Sequence, residues 1–176
     1  MNLVFTGFMG TGKTSVGKIA AEKLGRMFFD TDSMIEDSTG QSISEIFQSS
    51  GEEVFRKLEA ETVKLAAGMD NIVISCGGGV VINPANMDAL RKNGIIINLF
   101  ASPEHLLERI SADDKRPLIA RALDPLGEIK KLLLQRKDAY KNCDFAFNTE
   151  GLTAQQCAEE ILNDENVRKL IIRGCR

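Results

Sequence analysis

The chain has 176 residues, of which 43% are hydrophobic and 27% charged, with a net charge of −3. That length suits one domain, residues 1–176, with a sizeable core, and the charge lacks the overall basic character of a nucleic-acid binder. The longest apolar run, Gly94 to Ala101, is far too short to span a bilayer, and the start of the chain has neither the basic region nor the cleavage site of a signal peptide.

The first predicted element is a strand, "NLVFTG". "GFMGTGKT", Gly7 to Thr14, follows it directly and matches G-x-x-x-x-G-K-S/T in full. Lying between a strand and a helix, it has the context that makes this pattern a phosphate cradle. Backbone N–H groups of Gly10, Thr11, Gly12 and Ser15 point at phosphate oxygens, Lys13 bridges the β- and γ-phosphates, and Thr14 offers a hydroxyl to Mg²⁺. The helix beyond runs to Leu24 and stops at Gly25. No N-K-x-D segment occurs on a late strand, where guanine-specific switches carry their base readout. A switching module is therefore disfavoured and a group transferase favoured.

The second strand, "RMFFD", ends in "DTD". Two-residue spacing on extended backbone points Asp30 and Asp32 the same way, a costly pairing unless a metal or ligand shares the charge. Asp30 is the second contact for Mg²⁺, through water. Asp32 accepts or orients a hydroxyl proton, or caps the next helix. Ser42 and Glu45 in "SISE" form a capping box. Arg56 lies in an acid-rich helix, "GEEVFRKLEAE".

"NIVIS" reads as the third strand, and it runs into Gly77, Gly78 and Gly79. Three glycines in a row imply something that comes too close to this backbone for a side chain. Asn83-Pro84 opens a helix, "GIIINLF" is the fourth strand, and Ser102-Pro103 opens another helix. "SADDKRPLIAR" reads as a mobile cover that brings Arg116, and with it Arg121, over the phosphates. Arg136 stands four residues before Tyr140. "DFAFN" is the fifth strand, and Thr153 and Gln156 repeat the capping box. "NDENVRKLIIRGCR" leaves three outcomes open: an extended last helix, a segment packed back on the domain, or disorder. The four cysteines, Cys76, Cys143, Cys157 and Cys175, show no CxxC spacing and fit a reducing, cytoplasmic setting. Strands without polar alternation, separated by helices, predict an α/β fold with a parallel sheet covered on both faces. Its ligands would lie beyond the carboxyl ends of the strands.

The ordered set "GFMGTGKT", "DTD", "FRKLE", "GGGV", "RPL" and "R-x-x-x-Y" resembles the shikimate kinases, small P-loop kinases related to nucleoside monophosphate kinases. The resemblance implies a three-layer α/β/α fold with a five-stranded parallel sheet, a helical substrate-binding region at about 32–62 and a mobile lid at about 111–124. It implies transfer of the ATP γ-phosphate to the 3-hydroxyl of shikimate with Mg²⁺, in aromatic amino-acid biosynthesis, by a monomer that needs no nucleic acid or membrane. Asp32 would then be the candidate base, with Lys13 and Arg116 as catalytic partners. Arg56 and Arg136 would clamp the carboxylate, and Gly77, Gly78 and Gly79 would carry the ring. Arg109 and residues Asn148 to Thr153 would meet adenine, while Phe47 and Phe55 would wall the acceptor pocket. A kinase of another small hydroxylated metabolite, such as gluconate, is the alternative.

Overall fold

The computed structural model describes residues 1–111 and 123–173. Five parallel strands, β1 (Asn2–Gly7), β2 (Phe28–Asp30), β3 (Val73–Ser75), β4 (Gly94–Phe100) and β5 (Phe145–Asn148), form one sheet in the order β2-β3-β1-β4-β5. In β1 the side chains divide the two faces by alternation. Val4 joins Ile74 and Ile96 in a core covered by α3 (Ile43–Ala67) and α4 (Pro84–Lys92). Leu3 and Phe5 join Val73, Ile95 and Ile97 on the other face, under α1 (Lys13–Leu24), α8 (Ala154–Asn163) and α9 (Glu165–Arg173). This is the expected three-layer α/β/α arrangement.

Because every strand is parallel, all carboxyl ends lie on one edge. The register fixes their neighbours: Asp30 sits opposite Ser75, Phe5 opposite Ser75, and Gly7 opposite Leu99. Residues distant in sequence therefore meet around the loop that follows β1, the central strand.

The helix signals act where the residues place them. Gly25 ends α1 in the left-handed region at φ 62°, and Ser42–Glu45 and Thr153–Gln156 both form reciprocal capping boxes. Two short strands differ from expectation. β2 starts only at Phe28, and β3 starts only at Val73 because Asn71 adopts φ 57° just before it. The extended reading of "DTD" is corrected as well. Helix α2 (Thr31–Thr39) begins immediately after Asp30, and Asp30, not Asp32, caps it by accepting from the N–H groups of Asp32 and Ser33. Helix α3 is broken by Gly51, at φ 81° and ψ 173°, so that Arg56 belongs to its second segment.

Helices α5 (Pro103–Ser111), α6 (Pro125–Gln135) and α7 (Lys137–Tyr140) flank the β4 side. The terminal segment forms a separate helix, α9. Asp164 caps it, and Val167 and Ile171 are buried against α8 and β4. For the part of the segment that is described, up to Arg173, packing back on the domain is the outcome observed of the three left open by the sequence. The lid expected at about 111–124 falls mostly on residues 112–122, which lie outside the described residues, as do Arg116 and Arg121.

Candidate active site

The loop after β1 turns at Gly10 and Gly12, whose φ values of 81° and 87° suit glycine alone. Its carbonyl at Phe8 is held from two sides. Thr11 Oγ1 donates to it at 2.8 Å and Lys13 Nζ at 2.9 Å. The lysine is thus folded onto the cradle, with 8% of its surface exposed. Thr14 and Ser15 are exposed in the first turn of α1, where backbone N–H groups have no helical partner.

Thr14 Oγ1 donates to Asp30 Oδ2 at 2.8 Å, and Ser75 Oγ lies 3.5 Å from the same hydroxyl. Three hard oxygen donors therefore gather beside the loop. Among the described residues no group of three or more His, Cys, Asp or Glu could hold a metal. This donor set suits Mg²⁺, which takes one or two protein oxygens and keeps waters and phosphate oxygens for the rest. It does not suit an all-protein cage.

The glycine triplet has a physical cause that the sequence did not reveal. None of the three has a positive φ, so backbone freedom is not the reason. A Cβ on Gly77 would collide with the Asp32 carboxylate, and a Cβ on Gly79 with the Arg56 guanidinium. The triplet is bare because two charged side chains of the same protein lie against it. Gly78 differs, since a Cβ there would make only ordinary contact, 3.4 Å from the Met9 nitrogen of the phosphate loop. Thr31 Oγ1 accepts from the Gly77 N–H at 2.9 Å, tying the start of α2 to the triplet. Below it Cys76 is buried, and burial pushes its thiol far above the usual range.

Arg56 reaches this loop from α3 held between two acids. Its Nη1 donates to both oxygens of Glu59, at 3.0 and 2.9 Å, and its Nη2 to Glu52 at 3.0 Å. The Glu59 side chain is 1% exposed and that of Arg56 31%. Burial raises the Glu59 carboxyl above its ordinary value, with Arg56 and Arg136 pulling it back. Burial alone would lower the Arg56 guanidinium, but Glu59 and Glu52 outweigh it and the net shift is upward. The net desolvation cost of the pair falls on the carboxylate, the more buried partner.

Arg136 follows α6, and its Nη1 lies 3.5 Å from the Gly78 carbonyl. Tyr140 donates its hydroxyl to the same carbonyl at 2.8 Å, and burial raises its pKa, which keeps that donor protonated. The spacing of Arg136 and Tyr140 thus brings both onto one atom. Phe47 and Phe55 pack with ring centroids 4.6 Å apart in a small core with Ile35 and Ile46.

Arg109 lies on the opposite flank. Its Nη1 donates to Gly10 O at 3.3 Å and Thr149 Oγ1 at 3.1 Å, and its Nη2 to Thr149 O at 2.8 Å. It joins the phosphate loop to the segment Asn148 to Thr153.

Sequence reasoning missed Glu59, Thr31 and Ser75. The signal for Glu59 was present, since an acid three residues after Arg56 on a helix faces it. Thr31 and Ser75 carry no such signal, because the β2–β3 register sets Ser75 opposite Asp30 and Thr31 follows only as the first residue of α2.

A family model described as shikimate kinase matches residues 9–165. A shikimate kinase of Caldicellulosiruptor bescii is 46% identical over 162 residues, 92% of this chain and 94% of that protein. Among solved structures, shikimate kinase from Acinetobacter baumannii in complex with shikimate superposes with a TM-score of 0.88. It is 33% identical and covers 98% of this chain and 93% of its own. A gluconokinase from Sinorhizobium meliloti, covering 98% of this chain and 96% of its own, shares the fold alone, with a TM-score of 0.58 at 16% identity.

Proposed function

The chain belongs to the shikimate kinase family, and we propose how its own residues transfer the γ-phosphate of ATP to the 3-hydroxyl of shikimate. The phosphate loop from Gly10 to Ser15 takes the ATP phosphates, with Lys13 released from Phe8 to meet the β- and γ-oxygens. Thr14, and Asp30 through water, would hold Mg²⁺, whose positive charge would offset that of the phosphates when it is bound. Arg109 and the loop Asn148 to Thr153 receive adenine.

Shikimate lies on Gly77, Gly78 and Gly79. Arg56 and Arg136 grip its carboxylate by charge-assisted hydrogen bonds, and the Gly78 N–H faces its hydroxyls. Asp32 orients the 3-hydroxyl and takes its proton as the new oxygen–phosphorus bond forms and the bond to the ADP oxygen breaks. Arg116, from the "RPL" segment, stabilises charge on the transferring group. We read residues 1–176 as one domain that acts as a cytoplasmic monomer. Among the described residues no helix is long and apolar enough to cross a membrane.

The observation that carries this reading is the convergence on the triplet. Asp32 lies against Gly77, Arg56 lies against Gly79, and Arg136 reaches the Gly78 carbonyl, all within one loop of the phosphate cradle. Asp32→Asn is expected to lower kcat by about 100-fold or more while leaving ATP affinity unchanged. ADP release in a coupled assay, run beside nucleotide titration, checks this. Undiminished turnover in that variant removes Asp32 from the role of base.

A further inference from the structure

On the β4 side of the phosphate loop lies a cavity of about 180 Å³, one of whose lining residues, Tyr140, bonds the Gly78 carbonyl. Phe8, Leu99, Leu106, Leu133 and Tyr140 give it apolar walls. An apolar cavity of about 150 Å³ is enough to admit a benzene-sized ring.

Two polar groups interrupt these walls. Asn98 is 7% exposed and lines the cavity. Its Oδ1 accepts from Thr6 Oγ1 at 3.4 Å, while its amide nitrogen has no hydrogen-bond partner among the described residues. Among the described residues no buried side-chain nitrogen or oxygen lacks a partner, so this amide nitrogen keeps accessible surface and is open to an acceptor in the cavity. Lys137 lines the same cavity from an exposed position and makes no salt bridge or hydrogen bond among the described residues. Its acidic neighbour Asp138 is bridged instead to Lys141 at 3.0 Å.

We propose that this cavity is a second small-molecule site that binds a compact cyclic carboxylic acid. The flat ring fills the apolar space, an acceptor atom on the ring meets the Asn98 amide, and the carboxylate pairs with Lys137. The occupant is not a substrate. It touches Phe8, whose carbonyl holds Lys13 and Thr11, and Tyr140, whose hydroxyl holds Gly78. Binding there bears on both loops of the active site at once, so it alters turnover without competing with shikimate.

The test uses pyridine-4-carboxylate and its neutral carboxamide, titrated into the whole protein under NMR observation with shikimate saturating. Saturation with shikimate keeps the arginine clamp filled. Saturable binding of the acid that shifts the Leu106 and Leu133 methyl signals is expected. Lys137→Gln should weaken the acid about threefold, as an exposed charge pair would, and leave the carboxamide unchanged. Ala101→Met, which extends a side chain into the cavity, should abolish both. Lys137 is exposed, so the first variant does not depend on repacking. Absence of saturable binding, an acid that shikimate displaces and that Arg136→Ala no longer binds, or indifference of the acid to Lys137→Gln would each overturn the proposal.

Discussion

Arg56 carries two duties. Its Nη1 neutralises Glu59 in the interior and is also the atom nearest Gly79, while Nε and Nη2 bond Glu52. Removing it leaves a buried carboxylate without its main partner. Arg56→Ala is therefore expected to lower stability by about 2–3 kcal/mol, in addition to weakening shikimate binding. The double variant Arg56→Ala with Glu59→Gln should recover most of the stability and none of the affinity. Denaturant melts together with KM values separate the two effects, and a stability loss that Glu59→Gln does not repair would remove Glu59 as its cause. From the sequence, Arg56 and Arg136 were two arginines among many, because nothing local in either distinguishes a clamp from a solvated surface. The burial of Glu59 and the position of the Gly78 carbonyl make that distinction, and α3 and α7 both pack on the turn Val80–Ile82 that follows the triplet.

The triplet between β3 and α4 behaves as two kinds of glycine. Gly77 and Gly79 yield space to Asp32 and Arg56, whereas nothing of the protein forbids a methyl at Gly78. Gly78→Ala should accordingly fold with wild-type stability and still raise the shikimate KM by about tenfold or more, the scale of losing one good polar contact in the complex. An unchanged KM would mean that the ring does not rest there. Local signals were the most legible at this level. The phosphate loop, both capping boxes and Gly25 each read correctly, since a cap or a cradle is made by residues within a few positions of one another. Asp30 was misread for the same reason. Its carboxylate ends β2 and starts α2 in one step, and a strand-period reading of "DTD" carried the extended backbone one residue too far.

The strand order β2-β3-β1-β4-β5 gives the molecule its working edge. With β1 at the centre, the phosphate loop has the Asp32, Arg56 and triplet cluster on its β3 side and the Arg109 and Thr149 contacts on its β4 side. Strand–helix alternation made a parallel α/β sheet legible, but not the order of strands. Without that order Ser75 could not be placed beside Thr14, nor Tyr140 beneath Gly78. The terminal helix α9 was equally hidden, because its apolar residues are few and gain a partner only once α8 and β4 are in place.

The clamp can be tested directly by a cycle that changes substrate and protein together. Shikimate and its carboxamide, in which the carboxylate is made neutral, are compared as acceptors in the wild-type protein and in Arg136→Ala. If the guanidinium grips that carboxylate, each single change raises KM by about tenfold or more, and the second change adds little to the first. Two full and independent losses would show that the carboxylate and Arg136 do not meet.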